Sequence, residues 1–477
     1  MDMKITDLSP RPLLSSLSCL FGILVLATPA HAKEASKPAV KAQNKPVVMA
    51  YYALDKEEIN HYEEGKVAFP VSAITAEKAR MLTHLNFSFL TINQDGKCIL
   101  EEGTKLPAAA KIFQELQGLK KHNPDLRLQF SIGGWGYSND ESPTVGRYRT
   151  AAATADNRKK LTQSCVDMVR EYGFDGIDID WEYPRAEDAR NFVDLLKEMR
   201  TQLGQLKATR PGNKLAPQLT IAVAGGAFNM ARTYLHLPQI AAQVDYINLM
   251  SYDLTGPWEK LTNHNAHLFG DAREHMFDNP LRALPIKPAL SRKALEQRFP
   301  SPLPLTVDAT VQQYLYAGVP ASKLVLGLPF YGRAYFQVEA GENRGLYQPF
   351  VTPAGDVYAG DPSLLVGCNT CTARKDPRMP GYGEIKKLLA ANLGYQSYFS
   401  NETKVPWVYN AERKIFISYD NEISFAYKIA YLKKYKLAGA MFWHLGHDDE
   451  EGSLLRSLYT GLNPEAGLQG GLHYEPK

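Results

Sequence analysis

The sequence predicts a closed barrel of eight β/α units that carries a small α+β insertion between the seventh strand and its helix. Eight short, β-rich apolar runs alternate with helical patterns, and this alternation is typical of a parallel sheet. Eight repeats favour a closed barrel over an open, doubly wound sheet. The open sheet is also disfavoured because no Gly-x-Gly-x-x-Gly motif follows an early strand.

The predicted strands are residues 47–51, 85–90, 126–132, 176–181, 219–224, 245–251, 323–330 and 438–443. The predicted helices include residues 108–122, 157–172, 186–206, 307–317 and 422–435. More than a hundred residues separate the last two strands, which is too many for one helix. Residues 334–416 mix Gly, Pro and aromatics with short strand-like pieces, so we predict that they form the insertion. The barrel then comprises residues 47–333 and 417–462, and residues 463–477 form a tail.

The N-terminus has the pattern of an export signal. Lys4 and Arg11 precede an apolar run that is too short to span a bilayer, and Ala30-His31-Ala32 fits a cleavage site. We predict a signal peptide over residues 1–32, a linker over 33–46, and a secreted protein, either extracellular or periplasmic. A buried N-terminal helix is the alternative.

The composition restricts the classes of partner. A net charge of +3 on 477 residues gives no argument for nucleic-acid binding, and no later segment is apolar enough for stable membrane insertion. We expect a monomer. Cys368 and Cys371 form a Cys-x-x-Cys pair in a loop-like segment, where a local disulfide is the expectation for an exported protein. A zinc site would need two further ligands, and none is near in the sequence. Cys98 and Cys165 are expected to be packing residues.

Three carboxylates lie two residues apart along the fourth predicted strand: Asp178 and Asp180 within it, and Glu182 directly after its end. Side chains at this spacing project to one face of a strand, which in a barrel is the interior. Like charges and loss of solvent raise carboxyl pKa values, so at least one of the three should hold a proton near neutrality. A general acid requires such a carboxyl, and Glu182, nearest the carboxyl end of the strand, is best placed to act as one.

Two simpler interpretations of this strand are weaker. A solvated acidic face would not alternate with isoleucine and tryptophan. A calcium loop would require glycine and further oxygen ligands, which Tyr183 and Pro184 do not supply.

The whole run Asp175-Gly176-Ile177-Asp178-Ile179-Asp180-Trp181-Glu182-Tyr183-Pro184 resembles the signature of glycoside hydrolase family 18, the chitinases. The resemblance extends over almost the whole mature chain, and it is strongest at residues 51–52, 82–89, 131–135, 248–253, 327–333 and 441–443. Within the family the sequence is most similar to bacterial B-type chitinases, which have similar stretches around residues 257–260 and 366–368.

The resemblance implies a retaining mechanism in which the substrate supplies the nucleophile. Glu182 protonates the glycosidic oxygen, and Asp180 orients the 2-acetamido group that attacks the anomeric carbon. Asp178 shares a proton with Asp180, while Tyr252 and Asp253 steady the acetamido group and the surroundings of Glu182. No metal or organic cofactor is implied.

The resemblance also implies contacts to chitin or chitooligosaccharides, since sugar rings stack on aromatic side chains. Trp443 corresponds to the floor of the cleft, Met250 packs beneath the sugar, and Trp135 and Trp258 line the leaving-group side. The other expected contact or support residues are Tyr51, Ser131, Asp175, Glu259 and Arg333.

One position departs from the family pattern. Gly136 stands where close relatives of the B type have an aromatic residue, so a hydroxyl partner of the inner aspartates is expected to be missing or replaced, for example by Tyr137. A chitin-binding lectin without turnover and an endo-β-N-acetylglucosaminidase are the alternative functions. Lectins of this family typically lack the acid that Glu182 provides here.

Overall fold

The computed structural model describes residues 45–208, 215–226, 234–273, 305–351 and 378–466. Eight parallel strands close into a barrel, because the first strand pairs with both the second and the last. These strands are β1 Val47–Ala53, β2 His84–Ile92, β4 Arg127–Gly133, β5 Gly176–Asp180, β6 Gln218–Ala224, β7 Tyr246–Met250, β8 Leu324–Pro329 and β13 Gly439–Trp443. The short strand β3, Cys98–Leu100, pairs antiparallel with β2. The predicted fold class is confirmed, and each predicted strand overlaps a barrel strand.

Helices surround the barrel. Those that the structure describes are Lys56–Asn60, Ala76–Met81, Leu106–Gly118, Trp135–Ser138, Gly146–Ala153, Ala155–Glu171, Ala189–Ala208, Leu237–Gln243, Val307–Tyr316, Tyr382–Ala390, Glu422–Lys434 and Ser453–Leu462. Local sequence sets several of their starts. Thr154 and Thr306 accept hydrogen bonds from backbone N–H groups in the first turns of their helices, and Asn421 does the same for Glu422–Lys434.

The barrel strands have two chemically different faces. Ile177 and Ile179 of β5 belong to the large apolar core between the barrel and its helices. The interior holds a smaller cluster that includes Met49, Tyr51 and Met441, together with buried polar side chains. The alternation predicted for β5 is therefore present, with carboxylates inside and apolar side chains outside.

A second, antiparallel sheet lies between β8 and the helix Glu422–Lys434 along the chain. Its strand order is β10–β11–β12–β9, where β9 is Arg333–Tyr335, β10 Gln396–Phe399, β11 Pro406–Asn410 and β12 Ile415–Ser418. With the helix Tyr382–Ala390 it forms the predicted α+β insertion. Trp407 lies in the core of this sheet, 9% exposed.

Several predictions fall outside the described residues. They are the signal peptide, the linker before residue 45, the tail beyond residue 466, and the disulfide between Cys368 and Cys371. Within the described ranges, no helix is both long enough and apolar enough to cross a membrane.

Candidate active site

Two glycines shape the turn after β4 and bring it against the carboxylate strand. Gly134 donates its backbone N–H to the carbonyl oxygen of Asp180 at 2.8 Å. A Cβ atom at Gly133 would lie 2.2 Å from that same oxygen, and one at Gly134 would lie 2.6 Å from the ring of Phe89. Both glycines have positive φ angles, 109° and 83°. Only glycine fits this turn, which leads directly into Trp135.

Asp178 lies deep in the barrel and receives hydrogen bonds from four strands. Its Oδ2 accepts from the hydroxyls of Tyr51 at 2.9 Å and Ser131 at 2.8 Å. Its Oδ1 accepts from Thr220 Oγ1 at 2.5 Å and Asn248 Nδ2 at 3.1 Å. Burial raises the pKa of Asp178, and these four donors oppose the rise. Ser131, one of the expected contact or support residues, thus supports Asp178.

Asp180 has a different environment from Asp178. Its side chain is 4% exposed, and among the described residues Oδ1 has no hydrogen-bond partner. Burial, followed by the negative charges of Glu182 and Asp178, raises the pKa of Asp180 well above its ordinary value. The carboxyl group therefore offers an unsatisfied oxygen within the site, which a donor from a bound ligand could satisfy.

Glu182 follows β5 and is held by its backbone. Its N–H donates to Ser138 Oγ at 2.9 Å, and Ser138 in turn donates to the carbonyl oxygen of Gly134 at 2.9 Å. Burial raises the pKa of Glu182 to about 8, although a hydrogen bond with Tyr183 opposes the rise. The charge of Asp253 also raises this pKa. Glu182 is thus a carboxyl that keeps its proton at neutral pH, as the spacing of the carboxylates predicted for one member.

Asp253 and Tyr252 lie at the end of β7. Arg333 pairs with Asp253, with its Nε 2.7 Å from Oδ1 of the aspartate. The backbone N–H of Asp253 donates to Asn265 Oδ1 at 2.8 Å, which holds this residue at a φ of 52°. Tyr252 is 9% exposed, and burial, followed by Tyr331 and the charges of Asp180 and Glu182, raises its pKa. Tyr252 therefore lies in the field of both carboxylates.

Aromatic side chains surround the carboxylates at the carboxyl ends of the strands. The ring of Trp443 stacks on Phe89, with centroids 5.6 Å apart, and lies 5.7 Å from the ring of Tyr51. Trp135 and Trp258 remain 61% and 58% exposed, which is unusual for this side chain. Exposed indoles beside buried carboxyls can stack on sugar rings. Trp181, in contrast, is buried outside the barrel against Tyr148 and belongs to the core.

The remaining predicted residues divide into two groups. Met250 belongs to the interior cluster with Tyr51 and Tyr252, and Glu259 follows Trp258 on the surface turn. Asp175 does not join the site. It lies at the opposite, amino end of β5, where it is fully buried and its Oδ2 accepts from Lys120 at 2.5 Å and from the backbone N–H of Leu128 at 3.0 Å. The expectation that Asp175 contacts substrate is wrong, because Asp175 instead joins strands at the closed end of the barrel.

Tyr137 does not replace a hydroxyl near the inner aspartates. Its hydroxyl is bonded to the backbone of Ile92 and accepts from Arg147 at 3.0 Å. A Cβ atom at Gly136 would meet nothing within 4 Å, so the position opens onto free space. The four donors on Asp178 show that the inner aspartate is satisfied without an aromatic hydroxyl from residue 136 or 137.

Three polar residues of the site were missed at the sequence level: Thr220, Asn248 and Ser138. Thr220 is paired in register with Asp178 on the neighbouring strand, and Asn248 occupies an inward position on β7. Both could have been found in the sequence as polar residues at inward-facing positions of otherwise apolar strands. Nothing in the sequence indicated Ser138, which acts through the backbone. Across the described parts of the chain, no group of three or more His, Cys, Asp or Glu side chains could hold a metal ion.

Comparison with known proteins agrees with this geometry. Residues 47–448 match the family described as Glycosyl hydrolases family 18. The chain is 47% identical to Chitinase B of Serratia marcescens, in a match that covers 88% of this chain and 84% of that protein. It is 38% identical to Chitinase A1 of Niallia circulans, over 74% of this chain and 45% of the relative. The structure of the Ostrinia furnacalis Group IV chitinase in complex with allosamidin aligns with a TM-score of 0.68 and 28% identity, covering 88% of this chain and 99% of that one. This chain therefore belongs to glycosyl hydrolase family 18.

Proposed function

We propose that this enzyme is a chitinase that hydrolyses β-1,4-linked N-acetylglucosamine polymers and oligomers with retention of configuration. The observation that carries the proposal is the contrast between two neighbouring carboxyls. Burial keeps Glu182 protonated up to a pH of about 8, whereas Asp180 has a buried oxygen without a partner. A proton donor and an acceptor for an amide N–H are what substrate-assisted cleavage of an N-acetylated sugar requires.

In this mechanism Glu182 gives its proton to the glycosidic oxygen as the bond to the anomeric carbon breaks. The acetamido oxygen of the same sugar forms the new bond to that carbon, which gives an oxazolinium ion. As positive charge develops on the sugar, Asp180 shares its proton with Asp178, and its unsatisfied oxygen accepts the acetamido N–H and stabilises that charge. Glu182, now ionised, removes a proton from water as the water opens the ring, and its own proton is restored.

Aromatic side chains supply the polymer cleft. Trp443, which contacts the ring of Tyr51, lies beneath the reacting sugar, and Trp135 and Trp258 support the leaving-group side. Their high exposure suits stacking on the apolar faces of sugar rings. The names of the Serratia and Niallia relatives, both chitinases, support chitin as the polymer.

Substitution of the acid provides the first test. Glu182→Gln removes the proton donor but preserves the shape, so hydrolysis of chitooligosaccharides should fall about 10²- to 10⁴-fold while their binding, measured by calorimetry, is kept. Glu198→Gln is the matched control, because Glu198 lies on the helix Ala189–Ala208 and bonds Gln202. Hydrolysis by Glu182→Gln at the rate of the control would remove Glu182 from the mechanism. Binding without turnover by the unaltered protein would instead indicate the lectin.

The stereochemistry of the product provides the second test. Hydrolysis of a chitooligosaccharide of defined length, followed by NMR, should give the β anomer first. An α anomer formed first contradicts the retaining mechanism. Release of intact glycans from glycoproteins, with no cleavage of chitin, would assign the endo-β-N-acetylglucosaminidase activity instead.

We further propose that the protein is exported after cleavage near Ala32, works as a monomer, and carries the disulfide between Cys368 and Cys371. The N-terminal pattern supports export, and the cysteine spacing supports the disulfide. N-terminal sequencing of the secreted protein, mass spectrometry of non-reduced peptides, and the mass in solution test the three statements separately.

A further inference from the structure

One guanidinium group contacts both a carboxylate of the site and an exposed indole of the cleft. Nε and Nη2 of Arg333 each lie 2.7 Å from Oδ1 of Asp253. The Cζ atom of Arg333 lies 5.3 Å from the ring centroid of Trp258 and 5.2 Å from that of Tyr331. Arginine can make both contacts at once because its edge donates hydrogen bonds while its face stacks on aromatic rings.

The indole of Trp258 is 58% exposed, so little of it is packed. Gly256 packs closely against the ring, since a Cβ atom there would lie 2.2 Å from it, and Arg333 lies over the ring. The side chain of Arg333 is itself only 13% exposed, fixed by its ion pair with Asp253. A rigid cation over the indole therefore restricts the orientation of an otherwise solvent-exposed platform.

Asp253 also acts on Glu182 through its charge, which favours the protonated form of the acid. Arg333 partly neutralises that charge. The other titratable groups around the two carboxylates are Asp180, Tyr183, Tyr252 and Tyr331. Arg333 places a positive charge beside Asp253, so its removal would take away a field that opposes the field of Asp253 at Glu182.

We propose that Arg333 is a positioning residue that fixes the indole of Trp258 and, through Asp253, sets the electrostatic field at the acid Glu182. A single side chain thereby links the leaving-group side of the cleft to the proton donor. The inference rests on the proposed function, because it requires Glu182 to be the acid and Trp258 to face the substrate.

Two variants separate charge from stacking. Arg333→Lys keeps the positive charge but loses the planar fork, so it should keep the pH profile of kcat while raising KM about 2- to 10-fold. Arg333→Met loses both, so KM should rise and the basic limb of the kcat profile should move up by about half a unit or more. In an Asp253→Asn background Arg333 loses the ion pair that holds it near the site, so Arg333→Met should move that limb less than it does in the parent.

Fluorescence provides a measurement that does not depend on enzymatic activity. The emission of Trp258, obtained by subtracting the spectrum of Trp258→Phe from that of the parent, should change in both Arg333 variants. Arg170→Met is the matched control, because Arg170 pairs with Asp167 on an outer helix. Circular dichroism and Tm identify any variant that fails to fold. Asp253→Asn alone then still tests the effect of the Asp253 charge on Glu182, since the basic limb of its kcat profile should move down.

Folded Arg333 variants with an unchanged pH profile and unchanged Trp258 emission would overturn the inference. An equal shift of the basic limb in the lysine and methionine variants would overturn the electrostatic part. Both outcomes presuppose that the unaltered enzyme hydrolyses chitooligosaccharides. Lack of turnover by the unaltered enzyme would count against the proposed function instead, and the emission of Trp258 would still report on Arg333.

Discussion

Thr220 donates a hydrogen bond of 2.5 Å from its Oγ1 to Oδ1 of Asp178, its direct neighbour on the adjacent strand. Thr220→Val keeps the shape and removes this donor. Oδ1 of Asp178 then keeps only the hydrogen bond from Asn248, and the loss of one buried hydrogen bond should lower the free energy of unfolding by about 0.5–1.5 kcal/mol. The pKa of Asp178 should rise further, and kcat should fall because Asp180 then faces an altered neighbour. Chemical denaturation and steady-state kinetics measure the two effects.

Thr162 provides the matched control for this prediction. It is fully buried, and among the described residues its Oγ1 has no hydrogen-bond partner. Thr162→Val should therefore be neutral or stabilising, and kcat should not change. If Thr162→Val and Thr220→Val destabilise the protein equally, the bond to Asp178 contributes nothing specific.

The pH dependence of turnover should follow Glu182. Since burial raises its pKa to about 8, the group donates a proton at neutral pH and loses this capacity as the pH rises through that value. We expect kcat for a soluble chitooligosaccharide to fall tenfold for each pH unit well above about 8. A profile that already falls between pH 5 and 6 would contradict the protonated state assigned to Glu182.

Glu182 should also reduce stability in alkaline solution. The folded protein holds the proton up to a pH of about 8, whereas the unfolded chain loses it near the ordinary value of 4.5. The folded state therefore binds more protons between these values, and stability falls as the pH rises across this window. Glu182→Gln removes this loss, so its Tm should exceed that of the parent increasingly from pH 5 to 8. Calorimetry at several pH values measures it; a constant difference between the two proteins would contradict the prediction.

The turn after β4 should not accept a side chain at Gly134. A Cβ atom there would lie 2.6 Å from the ring of Phe89, which stacks on Trp443, and φ is 83°. Gly134→Ala should lower the Tm by several degrees and lower kcat by displacing the floor of the cleft. Gly136→Ala is the control two residues on, where nothing lies within 4 Å. Equal effects of the two substitutions would show that the ring of Phe89 is not the cause.

The sequence was sufficient for the barrel and for the alternation of β5, because the period of a strand places Asp178, Asp180 and Glu182 on one face regardless of context. It was not sufficient for the partners of Asp178. Thr220 and Asn248 meet it only because of the register between strands, which the closed barrel determines and no local pattern encodes. Asp175 was assigned wrongly for a related reason. It belongs to the same motif, but the four residues 176–179 of extended strand separate it from Asp180 and place it at the other end of the barrel.

The donors to Asp178 come from β1, β4, β6 and β7, and β1 is fixed in turn by pairing with β13, the last barrel strand. The site is therefore assembled from both extremes of the barrel sequence. During folding, the barrel that holds Tyr51 can close only after the final strand has formed. Turnover should consequently recover later than the helices form during refolding, because it requires the closed barrel. A partly folded chain that lacks the last strand should therefore be inactive.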